Sequence, residues 1–425
     1  MGFFGSSGIR RKVDFGLLEL ALKVGFVLGK SSKSVILGWD TRTSGEVLRY
    51  AFSSGLLSSG CLVYEAGIAP TPTIAYTCRN FPAGAVITAS HNPPEYNGIK
   101  LVNPDGSAFD SSQRQRIEEE VLRNVFELSS WDKLGRSQPY LTAIEAHMER
   151  ILKDFPPLKL KVVVDCGCGA GSVITPFLLQ KLGCEVVTIN SHPSGFFARP
   201  AEPREENLAS LIKMVRASGA DVGLAHDGDA DRLMAVDDKG RFISGDKLLI
   251  ILAQSLQAQR VVTTLDASMS VEEFGFEVER TKIGDPYVSE ALRRSGDFGA
   301  EPTGCWIFPK VSLCPDGIYA AAFLARVASE KKLSALVDDI PSYPLLRESF
   351  PQRALDLEAL LVKLEALNPV SVNKLDGIKL SFSDAWVLIR PSGTEPKVRV
   401  TVEAKSKRRV WELLTQVSKI LRKER

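Results

Sequence analysis

Short, almost wholly apolar runs recur along the first three-quarters of the chain, each closed by small or turn-forming residues and followed by an amphipathic stretch. Val35-Ile36-Leu37-Gly38-Trp39, Cys61-Leu62-Val63-Tyr64, Gly84-Ala85-Val86-Ile87 and Lys161-Val162-Val163-Val164-Asp165 are of this kind. Runs without polar alternation are strands buried on both faces, so they predict parallel sheets covered by helices. Further strands are expected at 221–225, 261–265, 276–281 and 298–300. Helices are expected from near Glu46, where Asp40 or Ser44 could cap, and at 71–78, 111–126, 140–152, 173–182, 207–217, 246–256, 268–274 and 286–294. Asp237-Asp238-Lys239-Gly240 reads as a hairpin-like turn.

Beyond Pro341-Ser342-Tyr343-Pro344 the grammar changes. The runs 377–382, 385–390 and 398–402 alternate with period two, which predicts an antiparallel sheet with one open face. Helices at 355–367 and 407–422 flank it, the last one basic on its solvated side. The polar, turn-rich stretch 131–139 marks a first boundary. The expected organisation is α/β in four domains, 1–138, 139–240, 241–343 and 344–425, the last α+β.

Length and composition narrow the classes. With 425 residues, 44% hydrophobic and 24% charged, the chain is an ordinary multi-domain globular protein. A net charge of +2 gives no field favouring nucleic acid or acidic membranes, and no apolar stretch approaches the roughly 20 residues of a membrane span. Seven scattered cysteines form no disulfide framework, and Cys166 and Cys168 lack the second pair that a zinc knuckle needs. The expected setting is a reducing cytoplasm.

Candidate chemistry sits at strand ends. Ser90 lies in Thr88-Ala89-Ser90-His91-Asn92-Pro93-Pro94-Glu95-Tyr96-Asn97-Gly98-Ile99-Lys100, on a corner where a hydroxyl can face an open site. His91 and Lys100 bring proton-carrying or cationic groups near it, and Asn97-Gly98 predicts a second tight turn. Gly5-Ser6-Ser7-Gly8-Ile9-Arg10 reads as a phosphate-facing loop ending on a cation, or as a flexible arm, and Arg42 is a lesser candidate for the site's mouth. In His226-Asp227-Gly228-Asp229-Ala230-Asp231-Arg232 alternate carboxylates can converge on one hard cation. An EF-hand is excluded, because Arg232 occupies the position that needs Gly and Asp238 the one that needs Glu. Arg390-Pro391-Ser392-Gly393-Thr394-Glu395-Pro396-Lys397-Val398-Arg399 reads as an anion cradle, with backbone access at Gly393, hydroxyls at Ser392 and Thr394, and guanidiniums at Arg390 and Arg399.

These strings, with Glu301-Pro302-Thr303-Gly304, resemble the four active-site loops of the α-D-phosphohexomutases, one per domain and in the family's order. The resemblance implies three related α/β modules with mixed sheets and a TATA-box-binding-protein-like fourth domain around one central cleft. It implies that Ser90 is phosphorylated and that Asp227, Asp229 and Asp231 hold one magnesium ion per subunit together with a phosphoserine oxygen. It also implies sugar contacts from Glu301 and Thr303, substrate contacts from Arg232, and a phosphate clamp from Arg390, Ser392, Gly393, Thr394 and Arg399. Lys100, Arg10 and His91 stand as unranked candidates for proton handling and charge support. The sugar loop departs from the usual pattern at Ala300, Thr303 and Cys305, while Trp306-Ile307-Phe308-Pro309 and Cys314-Pro315-Asp316-Gly317 are similar to archaeal-type phosphoglucosamine mutases.

The expected activity is therefore isomerisation of glucosamine 6-phosphate and 1-phosphate through a bound bisphosphate, in a monomer or homodimer. Mannose or glucose phosphates are the alternative substrates. A sugar-phosphate phosphatase would need no distal clamp, and a non-catalytic sensor would have no need of Ser90 or the aspartates.

Overall fold

Four sheets follow one another along the chain in the computed structural model, which describes residues 2–351, 356–391 and 397–422. The first has six strands in the order Ile9–Lys12, Tyr96–Val102, Ala83–Ile87, Ser34–Trp39, Leu62–Ile68, Ser137–Pro139. Its centre is parallel, and Tyr96–Val102 runs antiparallel to both of its neighbours, so the sheet is mixed. Helices Phe15–Ser31 and Gly45–Ser58 cover one face through Leu17, Val24, Leu48 and Phe52, and Thr71–Thr77 covers the other through Ile74.

The second sheet runs Phe242–Ile243, Leu233–Val236, Val222–His226, Lys161–Asp165, Glu185–Ile189, and the third Glu277–Thr281, Arg260–Thr264, Phe298–Glu301, Cys305–Ile307. Both are parallel at the centre with antiparallel strands at one edge. One hydrophobic core joins them, because helices Gly245–Ser255 and Gly317–Glu330 bury apolar side chains on several sides. The fourth sheet is antiparallel throughout, in the order Leu345–Pro351, Lys397–Ala404, Ala385–Pro391, Ile378–Ser381, Ser371–Asn373. Leu357–Glu365 and Lys407–Arg422 pack on one of its faces. All seven cysteines are buried and unpaired. No helix among the described residues is long and apolar enough to cross a membrane.

Several local expectations change. Asn97-Gly98 does not turn; both lie inside strand Tyr96–Val102, where a Cβ on Gly98 would collide with the carbonyl of Ile9 on the paired strand. Close approach of two backbones, rather than a bend, is what this glycine permits. The stretch 131–139, expected to mark a first boundary, contributes edge strand Ser137–Pro139. The open face of the fourth sheet is covered as well: Lys379 is 5% and Glu403 2% exposed. Lys379 Nζ donates to Leu265 O at 2.6 Å, and Glu403 Oε2 accepts from Met269 N at 2.7 Å, so polar side chains on that face serve the ends of the third sheet.

Candidate active site

Strand Ala83–Ile87 delivers Ser90 to a corner in which the serine adopts a left-handed backbone, φ 51°. An L residue is rarely found there, and its surroundings must impose it. Ser90 N donates to Thr88 Oγ1 at 2.9 Å. Its Oγ donates to Asp227 Oδ2 at 2.7 Å and lies 3.3 Å from His91 Nδ1. The aspartate loop comes close because of a glycine, since a Cβ on Gly228 would stand 2.6 Å from Ser90 O.

Strand Val222–His226 ends directly in that loop. One carboxylate oxygen from each of Asp227, Asp229 and Asp231 falls within 4.8 Å of the others. Lys100, on strand Tyr96–Val102, donates to Asp229 Oδ2 at 2.7 Å and also to Asp231. Thr71, at the start of Thr71–Thr77, donates to the same Asp229 oxygen at 2.5 Å. These donors leave Asp229 Oδ1 and Asp231 Oδ1 buried with no hydrogen-bond partner among the described residues. Orphaned buried carboxylate oxygens are costly, and a divalent cation satisfies them. The residues therefore fit a hard metal ion.

The electrostatics follow from burial. Burial, then repulsion from Asp231 and Asp229, raises Asp227 well above the usual carboxylate range. Asp231 is raised by burial and by Asp229. Burial would raise Asp229 too, but Lys100 outweighs it and holds that carboxyl low. Burial alone would pull Lys100 down; Asp229 and Asp231 prevail and keep it a cation. His91 is pushed down to about 2 by burial, then by Arg232, Arg10 and Lys100. It stands as a neutral imidazole rather than the cation the sequence allowed.

Arg10 lies on strand Ile9–Lys12 with its Nε buried and unpartnered among the described residues. A cleft of 980 Å³ opens beside it, lined by residues 2–8, Arg10, Asn92, Tyr96, Arg390, Pro391 and Arg399. It carries three guanidiniums, and none of these lining residues is acidic, so an anion is its natural occupant. Arg390 and Arg399 stand opposite each other on paired strands, and Arg390 Nε is 3.0 Å from Asp376. Asp376 also accepts from Ile283 N at 3.1 Å, which ties the clamp to the third domain. Ser392, Gly393 and Thr394 lie outside the described residues.

The serine, the aspartates, Lys100 and His91 thus converge, with Arg10, Arg390 and Arg399 lining the adjoining cleft. The sugar loop is set apart. Thr303 lines a separate 470 Å³ hollow with Glu202, Asp246 and Asp266. Arg232 connects the two regions: its backbone N donates to Asp227 at 3.3 Å, its side chain reaches Glu202 at 3.4 Å, and Glu301 contributes to its raised pKa. Glu301 is itself raised to about 7, chiefly by burial, against the pull of Arg232. Buried Cys305 keeps a protonated thiol for the same reason. Arg42 does not reach the mouth; it is turned under the serine loop and is 3% exposed. Sequence reasoning passed over Thr71 and Asp376, because a lone threonine or aspartate outside a motif carries no signal of the contacts it will make; Thr88 opens the serine string, but nothing in the string reveals that its hydroxyl accepts from Ser90 N.

Four family models match in order: phosphoglucomutase/phosphomannomutase alpha/beta/alpha domains I over residues 1–127, II over 138–240 and III over 244–343, and the C-terminal domain over 352–420. The chain belongs to the phosphoglucomutase/phosphomannomutase family. Among relatives, a probable phosphoglucosamine mutase of Methanosarcina barkeri is 49% identical over 417 residues, covering 95% of this chain and 96% of its own. A phosphoglucosamine mutase of Methanococcus maripaludis is 41% identical over 430 residues, covering 96% and 95%. A family protein from Burkholderia thailandensis has the same fold at a TM-score of 0.87 with 26% identity, covering 99% of this chain and 96% of its own. An Aspergillus fumigatus N-acetylphosphoglucosamine mutase, solved with GlcNAc-6P and magnesium, shares the fold at a TM-score of 0.63 with 16% identity, covering 100% and 96%.

Proposed function

We propose that this phosphohexomutase is a phosphoglucosamine mutase, moving a phosphoryl group between O6 and O1 of glucosamine phosphate by way of Ser90. The observation that carries the reading is the placement of Ser90 Oγ, 2.7 Å from Asp227 in the aspartate cluster, beside a cleft lined by three arginines. Phosphoryl transfer asks chiefly for positioning and charge neutralisation, which is what these groups supply. As the sugar hydroxyl oxygen bonds to phosphorus, the Ser90 Oγ–P bond breaks and the serine oxygen leaves. The proton lost by the sugar hydroxyl balances the one gained by Ser90. The bisphosphate then reverses in the cleft, held by Arg390 and Arg399, and its other phosphoryl group returns to Ser90. Lys100 is a fixed cation beside the transfer, and neutral His91 orients the hydroxyl from 3.3 Å. One magnesium ion per chain, held by Asp227, Asp229, Asp231 and a phosphoserine oxygen, would offset charge on the transferring group.

Two observations support glucosamine as the sugar: the names of the relatives at 41–49% identity, and the chemistry of the hollow beside Thr303. That hollow holds Glu202, Glu205, Glu206, Asp246 and Asp266 against Arg204 and Arg347, an acidic excess that suits an ammonium at C2. Assayed against the 6-phosphates of glucosamine, glucose and mannose, the enzyme will give its highest kcat/KM with glucosamine. The margin will be about 10- to 100-fold, the scale of one added polar contact. A higher kcat/KM for either neutral sugar would overturn the choice of sugar and leave the mutase chemistry standing.

Glu301 gives this reading a pH signature. With its carboxyl near 7, lowering the pH through that value protonates it and removes an acceptor for sugar hydroxyls. We expect kcat/KM to fall on the acid side of about 7, and Glu301→Gln to abolish that limb while lowering the plateau. An unchanged acid limb in the variant would assign the ionisation elsewhere.

A further inference from the structure

Arg42 makes no contact that a substrate could replace, yet its surroundings are specific. A guanidinium has five N–H donors in a fixed planar fork. Here Nε donates to Asp40 Oδ2 at 3.1 Å, Nη1 to Pro93 O at 2.7 Å and Tyr96 O at 2.9 Å, and Nη2 to Ser90 O at 2.8 Å and Asn92 O at 2.7 Å. Every donor is used, and four of the five end on carbonyls of the loop that carries the serine. The ring of Phe197, from the second domain, covers the guanidinium at 5.1 Å.

Asp40, 1% exposed, completes the arrangement. Its Oδ2 also accepts from Thr88 Oγ1 at 2.6 Å, and Thr88 Oγ1 accepts from Ser90 N. The backbone N and O of Ser90 are therefore tied, on either side of its left-handed Cα, to one buried Asp40–Arg42 pair. None of these bonds involves Ser90 Oγ. They persist whether Oγ is free or phosphorylated, whereas the Ser90–Asp227 hydrogen bond requires the free hydroxyl.

We infer that Arg42 is a positioning residue that, through four loop carbonyls, holds Ser90 in the backbone conformation from which its oxygen accepts and returns a phosphoryl group. This rests on the reading of Ser90 as the phosphate carrier. Lysine cannot substitute, because a single ammonium cannot span carbonyls at four separated points. Misplacing a reacting oxygen by about 1 Å costs on the order of 10²-fold in rate.

The test follows Ser90 phosphorylation by glucose 1,6-bisphosphate, using intact mass with peptide mapping, in the wild type, Arg42→Lys and Thr88→Val. Steady-state KM for glucosamine 6-phosphate is measured alongside. Both variants should take up phosphate about 10²-fold more slowly, with KM little changed. Arg42→Ala should regain rate when guanidinium ion is added, a response that also shows the protein to be folded should Arg42→Lys not fold. Wild-type phosphorylation rates in Arg42→Lys and Thr88→Val, or a loss confined to KM, would overturn the inference and leave the carrier role of Ser90 intact. A wild-type enzyme that takes phosphate at a residue other than Ser90 would remove the underlying reading, and the inference with it.

Discussion

Ser90→Ala will fold as the parent does and lose turnover by on the order of 10⁵–10⁶-fold, the scale on which removal of a covalent nucleophile is felt. The side chain lost is small, and its loss leaves the bonds of Ser90 N to Thr88 and Ser90 O to Arg42 in place, so the loop has no reason to collapse. What disappears is the hydroxyl that donates to Asp227 of the aspartate cluster. Asp227 will lose its 2.7 Å donor, but its carboxylate remains hydrogen-bonded to Arg232 N at 3.3 Å. Substrate affinity should change little, since the clamp residues Arg390 and Arg399 are untouched, and kcat should carry the whole loss. A variant that retains a tenth of wild-type kcat would place the phosphoryl carrier elsewhere.

Removal of the divalent ion comes next in size. In the absence of a cation three buried carboxylates face one another with Lys100 donating to two of them, and burial with mutual repulsion raises Asp227 and Asp231. A bound ion relieves that repulsion, so magnesium will stabilise the fold as well as support the reaction. At 100 times its Kd the stabilisation is about 2.7 kcal/mol, visible as a rise in Tm. Asp229→Asn and Asp231→Asn will lose most of this rise. Each will lower kcat/KM by on the order of 10²-fold or more, because a metal supplies several kcal/mol of charge stabilisation. Because the raised carboxyls must give up protons to bind the ion, magnesium affinity will weaken as the pH is lowered. Full activity in chelator, with no magnesium-dependent shift in Tm, would contradict the assignment.

Much of this is legible in the chain, for identifiable reasons. The buried strands 161–165 and 222–226 announce themselves as apolar runs, and a motif that starts where such a run stops is placed by it. The position of Asp227, Asp229 and Asp231 at a strand end therefore follows from the residue pattern alone. Helices Phe15–Ser31 and Gly317–Glu330 give no such signal, because their apolar residues face more than one neighbour and blur the helical period. Asn97-Gly98 misleads, since the same dipeptide that makes a hairpin turn can also let two strands touch. Lys379 and Glu403 look like the solvated side of a half-open sheet, and only the docking of the third domain shows otherwise. His91 is the instructive case for chemistry. Its identity suggests a proton carrier, but burial and three neighbouring cations, which no spacing rule reveals, keep it neutral.

The most direct test of the account is a single turnover of enzyme carrying ³²P on Ser90 with unlabelled glucosamine 6-phosphate. The label should leave the protein and be recovered in glucosamine 1,6-bisphosphate and then in the monophosphates, with inorganic phosphate formed only as a slow leak. Stoichiometric release of labelled inorganic phosphate, with no label in sugar, would identify a phosphatase and contradict the mutase.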